Sequence, residues 1–280
     1  RFPERLDRRY QIRRVQDVMM SEESILLEIK DSVAYVTMNR PEVHNAFDEN
    51  VIARLAELLD ELSGNDNLKV VVFLGKGKSF SAGADLNWMK RAAAYTEEQN
   101  KADALKLARM LHKIYTLPKL TIACVQGMAI GGGLGLLSCC DIVIAEKDAA
   151  FGFSEVKLGL VPATIGPYVI AAIGARQARR YFQTGERFNG EVAHRIGLVH
   201  EIADRPEDVE YVLHSILSHV KTCGPKAMKT AKRLCRDLAG RPISEETLAD
   251  TAACIAQARS GEEAKEGLSA FLEKRKPGWV

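Results

Sequence analysis

The sequence predicts an α/β protein: a largely parallel sheet covered by helices, followed by a helical C-terminal region. Three observations carry that expectation. The continuous apolar runs LKVVVFLG (68–75), LTIACVQG (120–127) and DIVIAE (141–146) have the composition of strands buried on both faces. Segments with apolar residues at helical spacing lie between such runs up to about residue 200. After Asp204 the strands stop, and segments 206–221, 225–238, 244–258 and 260–273 all read as helices.

Taken in order, SILLEIK (24–30) and VAYVTMN (33–39) form two strands around a tight turn at Asp31–Ser32. Asp48 offers an N-cap to a helix in which Val51, Ile52, Leu55, Leu58, Leu59 and Leu62 recur on one face, and Gly64 is placed to end it. Thr96 with Gln99 makes a capping box for a long helix reaching about Tyr115. A glycine-rich turn and a short apolar helix separate strands 120–127 and 141–146. In the C-terminal region Ser244 and the Ser260–Glu263 pair supply capping signals. The chain divides into an N-terminal extension or expression remnant (1–20), a mixed core (21–204) and a helical region (205–280).

Composition narrows the function classes. Of 280 residues, 46% are hydrophobic and 27% charged, which excludes disordered and fibrous classes. Thirty-nine Lys and Arg against 37 Asp and Glu leave a net charge of +2, so no whole-molecule field favours nucleic acid or an anionic membrane. The six cysteines show no CxxC spacing and read as free thiols of a reducing compartment. Six arginines crowd the first residues, but Glu4, Asp7 and Asp17 spoil a transit-peptide pattern. Leu120–Cys140 carries no charge and is long enough to span a bilayer. Its five glycines and Gln126 fit a strand, a turn and a buried helix better.

Several familiar motifs fail on spacing. Gly77–Ser79 ends like a phosphate-binding loop, yet Val72 stands where its first glycine is required. GFSEV (152–156) lacks the closing glycine of a nucleophile elbow. The six histidines show no paired ligand spacing, so no metal and no resident cofactor is expected.

Two small-residue turns survive, SFSAGADL (79–86) and GMAIGGGLGLL (127–137), each following a buried strand. Glycine lets successive amide N–H groups converge on a ligand, and the second turn also opens a helix whose positive end favours developing negative charge. Two such donors on one oxygen would make an oxyanion hole, each worth about 3 kcal/mol in a transition state. Tight strand–helix packing would use the same glycines. FGFSEVKLGLVP (151–162) sets Glu155 among apolar residues, where a carboxyl exchanges protons nearer neutral pH; an ion-paired glutamate beside Lys157 is the plainer alternative. Two amide donors and one acid–base group suit thioester enolate chemistry.

NRPEVHNAF (39–47), SFSAGADL, GMAIGGGLG, CDIVIA and FGFSEVKLGLVP follow one another as in the enoyl-CoA hydratase/isomerase (crotonase) family. The chain resembles that family from about residue 24 to its end. The finer pattern is most similar to bacterial methylglutaconyl-CoA hydratases. The resemblance implies a spiral of ββα units with a C-terminal helical region that builds trimers or hexamers, in the cytoplasm of a bacterium or the mitochondrial matrix of a eukaryote. It implies that the Ala84 and Gly132 N–H groups hold the thioester oxygen, and that Glu155 is the second of two family glutamates. It places Ala82, Asp85, Leu86 and Asn87 along the substrate, and Lys274 on a coenzyme A phosphate, either its own subunit's or a neighbouring subunit's. Coenzyme A enters as part of the substrate.

One departure stands out: Gly135 occupies the position of the family's first catalytic glutamate. The resulting expectation is a hydro-lyase for a branched or carboxylated 2-enoyl-CoA, 3-methylglutaconyl-CoA foremost, whose distal carboxylate fills the space Gly135 leaves. The alternatives are a 3,2-enoyl-CoA isomerase using Glu155 alone, and an RNA-binding crotonase-like protein using Lys226, Lys229, Arg233 and Arg236 on one helix face.

Overall fold

The computed structural model describes residues 23–280; the N-terminal extension expected at 1–20 lies outside the described residues. Strands β1 (Ile25–Lys30) and β2 (Val33–Met38) pair antiparallel, with Asp31 and Ser32 both at positive φ in the expected tight turn. From β2 the main sheet runs parallel through β3 (Val70–Gly75), β4 (Leu120–Val125), β6 (Ile142–Glu146) and β9 (Glu201–Ala203). β3 and β4 are almost entirely buried, as continuous apolar runs require.

A second, smaller sheet was not legible in the sequence. β5 (Met128–Ile130), β7 (Ala150–Gly152) and β8 (Arg187–Asn189) form it. Each has three residues, too short for a visible period. This sheet carries both the glycine turn and the run leading to Glu155.

Helix α1 (Glu49–Gly64) buries the six apolar residues that the spacing selects, and the Asp48 side chain accepts from the N–H groups of Asn50 and Val51. The short helix α2 (Leu86–Ala92) is capped by Asp85. Helix α3 (Glu97–Thr116) opens on the Thr96–Gln99 capping box. Helix α4 (Gly132–Ser138) is the short apolar helix, and α5 (Gly166–Thr184) breaks at Gly174. After α6 (Gly190–Arg195) and β9 come α7 (Pro206–Lys221), α8 (Pro225–Leu238), α9 (Glu245–Ser260) and α10 (Glu262–Leu272).

The C-terminal helices are tied to the sheet by charge. Lys69 Nζ donates to the carbonyls of Lys221 and Cys223 at the end of α7 and to that of Trp279. A cation there opposes the negative end of the helix. Lys232 on α8 pairs with Asp141 at 2.7 Å beside β4 and β6.

One capping expectation fails. Ser260 turns its hydroxyl back to Gln257 O, and α10 starts from Gly261 with no side-chain cap. Glu263 instead accepts from the backbone N–H groups of Lys226 and Ala227, capping α8, whose own preceding residue is Gly224. The sequence pattern located an acid near a helix start but assigned it to the wrong helix.

Candidate active site

The strip 79–85 leaves β3 and is stitched on both sides by backbone hydrogen bonds. Phe80 N and Ser81 N donate to Gln126 O and Met128 O, and Ser81 O accepts from Ile130 N, which joins the strip to β5. On the other side Ala82 N donates to His44 O, Phe47 N to Gly83 O, and Asp85 N to Phe47 O. Ser81 Oγ reinforces the seam by donating to Asn45 O and accepting from Gly83 N. The two small-residue turns predicted from sequence therefore lie against each other.

The approach is close enough to require small residues. A Cβ on Gly133 would stand 2.6 Å from Ser81 Cβ, and one on Gly83 would stand 2.7 Å from Ile130 O, with the Gly132 amide nitrogen 3.5 Å away. Gly131 has φ 49° and ψ −117°, a conformation open to glycine, and a Cβ there would stand 3.1 Å from Glu155 Oε1. Its N–H donates to Gly152 O and so links the turn to β7, which leads directly into the 3-10 turn Glu155–Leu158.

Among the amide groups left over from this stitching, two bear on the site. Ala84 N lies between Gly83 O and Asp85 N, the two groups that hold Phe47, and donates to no acceptor among the described residues. Gly132 N, in the first turn of α4 where helices leave N–H groups unpaired, also donates to none among them. Ala84 is exposed and Gly132 partly so. Two free donors on neighbouring turns can share one accepting oxygen.

The Glu155 carboxyl sits over Gly131, one residue from Gly132. Its Oε2 is buried with no hydrogen-bond partner among the described residues. Burial pushes this carboxyl above its ordinary value of 4.5, against a smaller lowering from its own backbone N–H. The alternative of an ion pair with Lys157 is not what the side chain forms.

The other expected site residues divide. Ala82 lies on the strip, half-buried. Asp85 has no carboxylate oxygen to spare: Oδ1 accepts from Asn87 N and Trp88 N, and Oδ2 from Arg40. Leu86 is 74% exposed beside it, with Asn87 also exposed. Lys274 follows α10 on the exposed C-terminal tail at φ 54°, and no hydrogen bond or ion pair among the described residues joins it to the two turns.

Gly135 brings a correction. It was expected to leave open space, but a Cβ there would overlap Ile165 Cγ2. Ile165, 2% exposed at the start of α5, fills that region. No pocket for a distal carboxylate exists at this point, and the wall is apolar.

Sequence reasoning also missed the rim. Leu158, Leu160 and Val161, just past Glu155, are all more than half exposed. The signal was present in the apolar run KLGLVP, which has more apolar residues than a 3-10 turn can bury. Among the described residues no group of three or more His, Cys, Asp or Glu is placed to hold a metal ion, and no helix is long and apolar enough to cross a membrane.

The family model described as enoyl-CoA hydratase/isomerase matches residues 28–280. The chain belongs to that family. A solved enoyl-CoA hydratase from Shewanella pealeana is 42% identical, with a TM-score of 0.89 over 92% of this chain and 96% of that one. The short-chain-enoyl-CoA hydratase of Clostridium acetobutylicum is 31% identical over 90% of this chain and 96% of its own. The 2,3-dehydroadipyl-CoA hydratase of Escherichia coli is 30% identical over 90% and 97%. The fold is the crotonase fold of these hydratases, and the chain is an enzyme of the hydratase type acting on acyl-CoA thioesters.

Two outcomes follow from the packing and charge of this hydratase-family site. Gly135→Ala overfills the wall and lowers stability by about 1–3 kcal/mol. Because Ile165 is what it strikes, denaturant unfolding of Gly135→Ala/Ile165→Ala shows less destabilisation than the two single losses added. The second concerns pH. Above 4.5 the folded state still holds the Glu155 proton that the unfolded chain releases, so this group lowers stability as pH rises towards its folded value. Glu155→Gln removes that loss: urea unfolding at stepped pH shows the variant gaining on the parent from about 4.5 upward. An unchanged difference across that range contradicts it.

Proposed function

We propose that this enzyme hydrates, and in reverse dehydrates, a branched or carboxylated 2-enoyl-CoA, with 3-methylglutaconyl-CoA as the leading substrate. The observation that carries the reading is the half-buried Glu155 carboxyl, unpartnered at Oε2, over the residue next to a free amide. The Ala84 and Gly132 N–H groups receive the thioester oxygen. Glu155 takes a proton from water as the water oxygen bonds to the β-carbon, and the electron pair of the double bond moves onto the thioester oxygen. Glu155 then returns the proton to the α-carbon as the enolate collapses. Both amides act more strongly on the enolate than on the ground-state carbonyl, which is what accelerates the step.

The rim of Leu86, Leu158, Leu160 and Val161 suits the apolar parts of an acyl-pantetheine chain. A dicarboxylic acyl group is supported by the Escherichia coli relative, whose name specifies 2,3-dehydroadipyl-CoA. With Ile165 filling the wall at Gly135, an acyl carboxylate must be received elsewhere. Self-association as a trimer or hexamer is supported by α9 and α10, which leave Leu248, Ile255, Leu268, Phe271 and Leu272 exposed.

A second reading has its own observation. The nearest side chains facing Gly135 are Ile165 and Leu111, both apolar, which supports a site in which Glu155 acts alone. One carboxylate suffices to take a proton from the α-carbon of a 3-enoyl-CoA and return it at the γ-carbon. For RNA binding nothing comparable stands: Arg233 and Arg236 on α8 both approach Asp237, at 4.0 and 3.6 Å.

The test is a panel of 2-enoyl and 3-enoyl thioesters, straight, branched and carboxylated, with hydration and isomerisation measured together. Hydration of the branched dicarboxylic thioester exceeds that of crotonyl-CoA, and Glu155→Gln lowers turnover by about 10²–10⁴-fold in a folded protein. Equal rates on both substrates overturn the substrate class; near-native turnover of the variant overturns the role of Glu155.

A further inference from the structure

Arg40 lies at the end of β2, outside every role assigned above, yet its contacts converge on one amide. Its Nη1 donates to Ala46 O at 2.8 Å and pairs with Asp48 Oδ2 at 3.1 Å, while its Nη2 reaches Asp85 Oδ2 at 3.1 Å. Both aspartates are helix caps, and both divide their oxygens in the same way. Asp48 gives Oδ1 to the first amides of α1 and Oδ2 to Arg40; Asp85 gives Oδ1 to the first amides of α2 and Oδ2 to Arg40. The guanidinium therefore joins two helix starts and the backbone just before Phe47. These side chains are mostly shielded, at 21% for Arg40, 16% for Asp48 and 8% for Asp85.

Phe47 and Asp85 are the residues that bracket Ala84. Phe47 N holds Gly83 O, and Phe47 O holds Asp85 N. Arg40 fixes Phe47 from one side through Ala46 and Asp48, and fixes Asp85 from the other. The planar fork spreads its donors over two nitrogens, Nη1 to Ala46 O and Asp48 and Nη2 to Asp85, a span that the single nitrogen of an ammonium does not reproduce. Without the cation, two shielded carboxylates face each other unpaired, and the strip must shift to separate or rehydrate them.

We infer that Arg40 is a positioning residue that sets the aim of the Ala84 N–H by clamping the N-caps of α1 and α2 on either side of it. The inference rests on the proposed use of that N–H to hold the thioester oxygen. Its effect on the reaction is therefore exerted where the oxygen carries charge, in the transition state, and only weakly on ground-state binding.

The experiment compares Arg40→Met and Arg40→Lys with the parent at a temperature where all three are folded. Arg40→Met lowers kcat by about 10-fold or more with KM within about 2-fold, because a misaimed donor is lost mainly from the transition state. Arg40→Lys restores only part of kcat, since it keeps the charge but not the fork. In parallel, the amide resonances of Ala84 and Gly132 are followed by NMR without ligand, and Arg40→Met moves Ala84 while leaving Gly132 in place. A purely structural Arg40 lowers the unfolding temperature with kcat and the Ala84 resonance unchanged, and that result overturns the inference. Full rescue by lysine overturns the fork argument. If the parent turns over none of the thioesters, the proposed function fails, and the Ala84 resonance still decides the positioning claim.

Discussion

The close backbone approach of two turns is the constraint on which the rest of the structure depends. Strip 79–85 hydrogen-bonds to β5 on one side and to 44–47 on the other, and it can do so only where side chains are absent or minimal. Gly133 against Ser81 and Gly83 against Ile130 leave no room for a Cβ without movement. Because most amides of the strip are spent on this stitching, the unpartnered Ala84 N–H is set apart, and across the seam the Gly132 N–H joins it as an unpaired donor of a helix start. A rigid frame around two unspent donors is a preorganised arrangement, which costs no reorganisation when charge develops.

Glu155 shows what the same frame does to a carboxylate. The turn that frees Gly132 also needs glycine at 131, and the missing Cβ lets the carboxyl close over the backbone. There it is desolvated without a cation or a hydrogen-bond partner at Oε2, which raises its proton affinity and costs stability in the ionised form. Local instability of this kind concentrates at sites where chemistry needs an unsatisfied group. Ile165 against Gly135 adds an apolar wall beside that carboxyl. The charges nearby are instead paired in Arg40, Asp48 and Asp85, where they hold geometry.

The legibility of the sequence followed the length and periodicity of each element. The helix at 49–64 was readable because six apolar residues repeat on one face behind an Asp cap, and β3 and β4 because a doubly buried strand is apolar throughout. Strands β5, β7 and β8 have three residues each and no readable period, so the smaller sheet stayed hidden although it carries both the glycine turn and Glu155. At the site, the turns and Glu155 were visible because small residues and a lone acid in apolar sequence are locally unusual. The filling of Gly135 by Ile165 and the clamp of Arg40 on Asp85 span separations of 30 and 45 residues, and only the folded chain brings them together. The reassignment of Glu263 teaches the same lesson, since a charge near a helix end does not name its partner.

The most direct measurement of the central claim is vibrational. A 2-enoyl-CoA labelled with carbon-13 at the thioester carbonyl is bound to the Glu155→Gln protein, and its carbonyl stretch is compared with that of the same thioester in water. Two preorganised amides on one oxygen polarise the carbonyl and lower the stretching frequency below the value in water. A thioester that binds with its frequency unshifted would show that the Ala84 and Gly132 donors do not meet that oxygen, and would contradict the account.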